Sequence, residues 1–122
     1  MRILPAFVLF FFLCSPITLI AGEADIVDVK IRKNGDSVYD FWVTVFHEDT
    51  GWDHYADRWE ILDEKGRILA TRILQHPHVN EQPFTRGLSG VKIDNSIKSV
   101  LIRARDSVHQ YGGKALKVKL PE

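Results

Sequence analysis

An all-β fold is the class this sequence predicts, and three observations predict it. From Asp25 onward apolar residues recur with a period of two, β-branched and aromatic residues fill those positions, and turn formers return about every ten residues. No stretch of that region keeps the 3.6-residue period of an amphipathic helix.

The elements follow in order. The first strand is IVDVKIRK, with Val27, Val29 and Ile31 on one face, and Lys33-Asn34-Gly35-Asp36 closes it as a tight hairpin, because Asn-Gly tolerates the positive φ such turns require. The second is SVYDFWVTVF. Tyr39, Phe41, Val43 and Val45 form one face; Val38, Trp42 and Phe46 make the other apolar too, either a covered second face or a patch for association. The third, ADRWEILD, alternates Trp59 and Ile61 with charged neighbours, and Asp63-Glu64-Lys65-Gly66 turns the chain into the fourth, RILATRILQ. PFTRGL is a short fifth strand. SVLIRARD, with Val100, Ile102 and Ala104 in phase, is the sixth, and KALKVKL the seventh. Seven short antiparallel strands with a tryptophan on the third predict an immunoglobulin-like or fibronectin type III-like sandwich. An open barrel or a jelly-roll fragment is the alternative with the same strand count.

Two domain segments are expected. Residues 1–24, MRILPAFVLFFFLCSPITLIAGEA, read as an export signal: Arg2 supplies the positive start, Ile3 to Leu13 the apolar run, and Gly22 and Ala24 the small residues before a cut at Asp25. Residues 25–122 form a single β-sandwich domain. Pro16 and Thr18 interrupt the apolar run, so no stable membrane insertion is expected after cleavage, and the expected location is periplasmic or secreted. Cys14 follows the bulky Phe12-Leu13, where a lipid-attachment signal wants small residues.

Composition narrows the function classes. Sixteen basic and sixteen acidic residues are interleaved without runs, which gives no electrostatic footprint for nucleic acid or anionic lipid. Cys14 is the sole cysteine, so the segment after it has neither disulfides nor thiolate ligands, and any metal site there must use His, Asp or Glu. The sole methionine, Met1, argues against a thioether carrier of cuprous ion.

The connections carry the chemistry. Successive antiparallel connections alternate between the ends of a sandwich, so the loops after strands two, four and six share one end. All five histidines fall there: His47 and His54 in HEDTGWDHYA, His76 and His78 in HPHVNEQP, His109 in DSVHQYGG. The opposite end has KNGD, DEKG and LSG/DNS, without histidine. Imidazole is a common ligand for zinc and copper, and the proline of His-Pro-His stiffens the backbone. The candidate metal ligands are therefore His54, His76, His78, His109 and Asp53, with Asp106, Glu48 or Asp49 able to complete the set or orient a ring. The sequence does not identify a cofactor; zinc or copper is the candidate. Against this stands a reading in which the histidines hydrogen-bond one another and the loop backbone without metal, in a protein-interaction or structural domain of the cell envelope. His76 and His78 point to opposite sides of an extended segment, which separates them if it is extended. Trp52, Tyr55 and Tyr111 border the same loops and could contact a ligand or partner, or roof the core. Catalysis is poorly supported: Ser107, His109 and Asp106 are neighbours on one loop, whereas a nucleophile, base and orienting group come from converging segments.

At GWDHYADRW, HPHVNEQPFTRGLSGV and RARDSVHQYGG the sequence resembles a group of small, uncharacterised exported bacterial proteins. The resemblance implies export and an all-β domain, and it carries no catalytic role for any residue.

Overall fold

The computed structural model describes residues 22–122. The expected export signal, residues 1–24, lies mostly outside the described residues. Seven strands follow: β1 (Asp25–Gly35), β2 (Val38–Phe46), β3 (Ala56–Leu62), β4 (Ile68–Ile73), β5 (Phe84–Lys92), β6 (Ser99–Asp106) and β7 (Leu116–Lys119). They make two antiparallel sheets, one ordered β1-β2-β5 and the other β4-β3-β6-β7. Among the described residues there is no helix.

The core is what period-two alternation dictates. Phe41, Val43 and Val45 of β2, Trp59 and Ile61 of β3, and Val100, Ile102 and Ala104 of β6 are buried in one cluster between the sheets. Each large side chain removed from water there contributes about 1.5 to 3 kcal/mol. Across the open side of the sandwich the Arg72 Nε–H donates to the Gly87 carbonyl, 2.9 Å away, and so ties β4 to β5. On the outer face Trp42 lies over Gly87, where a Cβ would come within 3.3 Å of the indole.

Two strands depart from the expected pattern. The register of β1 shifts between Ile26 and Asp28. A bulge resets the alternation, so Ile26 is fully buried while Val27, expected inside with Val29 and Ile31, is 46 % exposed. In β5 the Ser89-Gly90 pair, expected to end the strand, is instead a bulge opposite Asp40: Tyr39 pairs with Val91 and Phe41 with Leu88. Gly90 has φ +70° and its N–H donates to Asp40 Oδ1 at 3.0 Å. Glycine takes that conformation without penalty, and the strand continues to Lys92.

The segment before β1 is part of the packing. Ala24 is buried, and the β6–β7 loop lies so close that a Cβ on Gly113 would fall 1.9 Å from the Ala24 carbonyl oxygen. Ile26 N–H donates to the Lys114 carbonyl at 2.8 Å, and Lys114 N–H to Asp25 Oδ1 at 2.7 Å.

Candidate metal centre at the histidine end

The alternation of the two central strands does not stop where the strands stop. On β2 the odd-numbered residues face inward, and the chain holds that phase past Phe46, so His47 and Asp49 are buried while Glu48 and Thr50 are exposed. On β6 the even residues face inward and Asp106, the last of them, is fully buried. Both strands thus end in polar side chains that cap the core at one end.

Two turns bring further imidazoles to them. In the β2–β3 loop Gly51, at φ +142°, opens a turn closed by Thr50 N–H to the His54 carbonyl at 3.0 Å and His54 N–H to the Gly51 carbonyl at 3.2 Å. This directs the His54 ring at Asp106. In the β6–β7 loop Asp106 and Gln110 exchange backbone hydrogen bonds of 3.1 and 3.0 Å, with Gln110 at φ 66°. Asp106 Oδ2 accepts the N–H groups of Val108 at 3.1 Å and His109 at 2.8 Å, which folds His109 back over its own carboxylate. Ser107 N–H to the Tyr55 carbonyl at 2.9 Å, and Tyr55 N–H to Ser107 Oγ at 3.1 Å, clip the two loops together.

The result is a convergent group. His47 Nε2 lies 3.2 Å from His54 Nε2, His54 Nε2 lies 2.8 Å from Asp106 Oδ2, and His47 Nε2 lies 4.0 Å from the same oxygen. One ligand atom from each lies within 4.8 Å of the others. His109 Nδ1 lies beside this group of three, 3.1 Å from Asp106 Oδ2. Ligands at bond lengths of about 2.0 to 2.1 Å around a tetrahedral ion sit about 3.3 Å apart. The observed spacings bracket that value.

Behind the group stands Asp49. Its Oδ1 is 2.5 Å from His47 Nδ1 and accepts Ala56 N–H at 2.9 Å, and its Oδ2 accepts His78 N–H at 2.7 Å. A carboxylate on Nδ1 holds the proton there and leaves the Nε2 lone pair aimed at His54, the support that histidine ligands commonly receive. Burial disfavours the His47 cation, yet the hydrogen bond and charge of Asp49, with lesser contributions from the Asp106 charge and the Gly22 backbone, raise its pKa. Burial likewise opposes ionisation of Asp49 and Asp106, and is outweighed in both: bonds from His47, His78 N–H and Ala56 N–H lower Asp49, and those from His109 N–H, Val108 N–H and the His54 and His109 rings lower Asp106. Both are carboxylates at neutral pH.

The residues singled out from the sequence divide. His54 is in the group, and His109 stands beside it on Asp106. His78 is tied to it only through its backbone; its ring stacks on Phe84 at 4.0 Å and its Nε2 accepts from Arg86 at 2.8 Å. Burial, with the nearby charges of Arg86 and His76, pushes the His78 pKa down. The exposed His76 has its Nδ1 3.0 Å from the Pro77 carbonyl, its ring 4.6 Å from that of His78. Asp53 is exposed and contributes its carbonyl, 3.5 Å from Ser107 Oγ. Trp52 packs edge-on against Tyr55 at 5.5 Å beside the group. Tyr111 lies elsewhere, donating to Glu60 Oε2 at 3.0 Å beneath Arg103 on the outer face of the four-stranded sheet. His47 was not among the expected ligands, and Asp106 was expected only as a residue able to complete the set or orient a ring, although each is the in-phase polar residue at the end of an apolar strand.

Known proteins add little to this geometry. No family model matches the chain, and no solved structure matches it. The chain is 38 % identical over 96 residues to a protein of Halomicrobium mukohataei named "Putative lipoprotein"; the match covers 79 % of this chain and 47 % of the other. The chain spans about half the length of that relative. No helix among the described residues is long and apolar enough to cross a membrane.

Proposed function

We propose that this chain is an exported β-sandwich domain that binds a divalent metal ion, zinc or cupric, through His47, His54 and Asp106, with His109 holding Asp106 from beside them. The observation that carries the reading is the convergence of His47 Nε2, His54 Nε2 and Asp106 Oδ2, with His47 fixed from behind by Asp49. Nitrogen and carboxylate donors without sulfur suit those ions. The three-plus-four division, with β4 on β3, supports a fibronectin type III-like sandwich rather than the antibody constant pattern, whose fourth strand joins the first, second and fifth. The relative's name supports an exported or envelope location, for which the periplasm is our choice. Protein purified without an affinity tag tests the metal. Elemental analysis should find about one equivalent of metal, lost in His47→Ala and in Asp106→Ala and kept in His76→Ala; metal kept in all three variants would refute the assignment.

A second reading has its own support. Asp106 Oδ2 stands within hydrogen-bond distance of four donors, two backbone N–H groups and the His54 and His109 rings. That network holds Oδ2 without an ion, as an interaction domain with purely structural histidines would, although the buried Asp106 Oδ1 has no partner among the described residues. Melting temperatures that do not respond to zinc or cupric ion would favour it.

A further inference from the structure

The three loops that carry the histidines differ in composition from the rest of the chain. Residues 47–55, 75–83 and 107–113 hold Glu48, Asp49, Asp53 and Glu81, with Asp106 at the border of the third, and not one lysine or arginine. Asp49 and Asp106 are committed to the imidazoles; Glu48, Asp53 and Glu81 are exposed. Each loop also exposes one apolar side chain: Trp52 is 66 % exposed, Val79 51 % and Val108 54 %. Trp52 precedes His54 by two residues, Val108 lies between Asp106 and His109, and Val79 follows His78, whose N–H holds Asp49. Single exposed apolar residues are ordinary, but one on every loop of the same end gives a partner three apolar contacts at that end.

The ligand set is graded in the same direction. The side chains of His47 and Asp106 are wholly enclosed, that of His54 is 12 % exposed and that of His109 32 %. An ion held by the convergent His47, His54 and Asp106 would have its fourth position free on the side of His54 and His109, toward solvent and between the apolar side chains. We propose that this accessible side takes the imidazole of a histidine carried on a basic, apolar segment of a partner protein, which docks across Trp52, Val79 and Val108. The inference rests on the metal reading above. Charge selects the donor: Asp49 and Asp106 balance a dication, and the exposed Glu48, Asp53 and Glu81 outnumber Arg86, whose guanidinium bonds the His78 ring at 2.8 Å, so the surface is acidic. A carboxylate or thiolate donor meets an excess of like charge there, and a neutral imidazole flanked by lysine or arginine meets opposite charge. The same charges repel a second copy of this end and an anionic lipid surface.

The test uses tag-free protein loaded with cupric ion, whose visible absorption reports its ligands. The probes are the peptide Lys-Leu-His-Leu-Lys, its glutamate-flanked counterpart, and a version with alanine for histidine. The lysine-flanked histidine peptide should shift the band and bind at least about tenfold more tightly than the glutamate-flanked one, with the difference shrinking as salt is added. The alanine peptide should leave the band unmoved. Trp52→Ala and Val79→Ser should weaken the peptide about fivefold or more without changing copper affinity. A copper-loaded chain whose band ignores the lysine peptide, or which binds both flanks equally, overturns this inference and leaves the metal site standing. A copper-loaded chain that dimerises and then ignores the peptide assigns the surface to a second copy and overturns it too. A chain that takes up no copper removes both readings.

Discussion

Asp49 and His47, two residues apart on an extended segment, face the same way, and the carboxylate sits 2.5 Å behind the ring whose far nitrogen points at His54. The pair is wholly enclosed. Asp49→Asn keeps the shape and the acceptor to Ala56 but loses the charge, so the His47 ring is held less firmly. Metal affinity, by calorimetry, should fall about 10- to 100-fold. Unchanged affinity would mean that Asp49 is a loop strut and nothing more.

Loading should show as heat resistance. At a hundredfold excess over its dissociation constant an ion adds about 2.7 kcal/mol, and each kcal/mol moves the melting temperature of a domain this size by about 4 to 8 °C. Protons compete for neutral imidazole, whose unperturbed pKa is about 6.5, so the gain should vanish between pH 7.5 and pH 5. His54→Ala and His109→Ala should each reduce it and His76→Ala should not. Scanning calorimetry with zinc, at both pH values, decides this.

Acid should unfold the domain through the same carboxylates. Asp49 and Asp106 have pKa values below the ordinary 3.8 in the folded chain. The unfolded chain therefore binds protons first as pH falls, and the stability these groups contribute, full above about pH 3.8, is lost as pH drops through their lower folded values. His47 and His78 act in opposite senses nearer neutrality. His47, with a raised value, stabilises below pH 6.5 and loses that as pH rises; His78, with a lowered one, stabilises above pH 6.5 and loses that as pH falls. Urea midpoints measured from pH 2 to 5 should show a shallower slope in Asp106→Asn than in the parent chain.

Trp59 anchors the core from β3 and is fully buried. Trp59→Ala should cost about 3 to 5 kcal/mol, a large part of the about 5 to 15 kcal/mol typical of a domain. The indole N–H has no partner among the described residues, so Trp59→Phe, which removes that donor, should cost much less. Denaturant midpoints of the two variants should differ clearly; equal midpoints would contradict this account of the packing.

Adjacent glycines in the β6–β7 loop should behave differently. A Cβ on Gly113 meets backbone at 1.9 Å, and one on Gly112 meets Cγ of Glu23, an exposed flexible side chain, at 3.0 Å. Gly113→Ala should destabilise by about 3 kcal/mol or more, and Gly112→Ala by about 0.5 or less. Thermal melts of both variants provide the check.

How much of this was legible in the chain itself varied by residue. Tyr39, Phe41, Val43, Val45, Trp59 and Ile61 follow a clean period of two, and each is buried where that period puts it. Val27 fails because a bulge depends on which partner residue is skipped, and Ser89-Gly90 fails because the same dipeptide serves a turn or a bulge. The meeting of His54 with His109 followed from loops alternating between ends. That His47 meets Asp106 follows from the phase of β2 and β6 carried past the last apolar residue. The place of Tyr111 does not follow from its loop, because it is set by Glu60 and Arg103, which lie on other strands and leave no local mark.

Asp25 pairs with Phe46, the neighbour of His47, so the chain enters the sandwich at the histidine end; Lys119 pairs with Ser99, so it leaves at the other. Whatever is fastened through the residues before Gly22 therefore pulls from beside the imidazoles, and whatever is fastened beyond Glu122 pulls from the far pole. Held by its leading segment, the domain turns its histidines toward the anchoring surface, within reach only of what lies close to that surface. Held by its tail, it presents them outward, which makes the choice of attachment point a choice of what the site can meet.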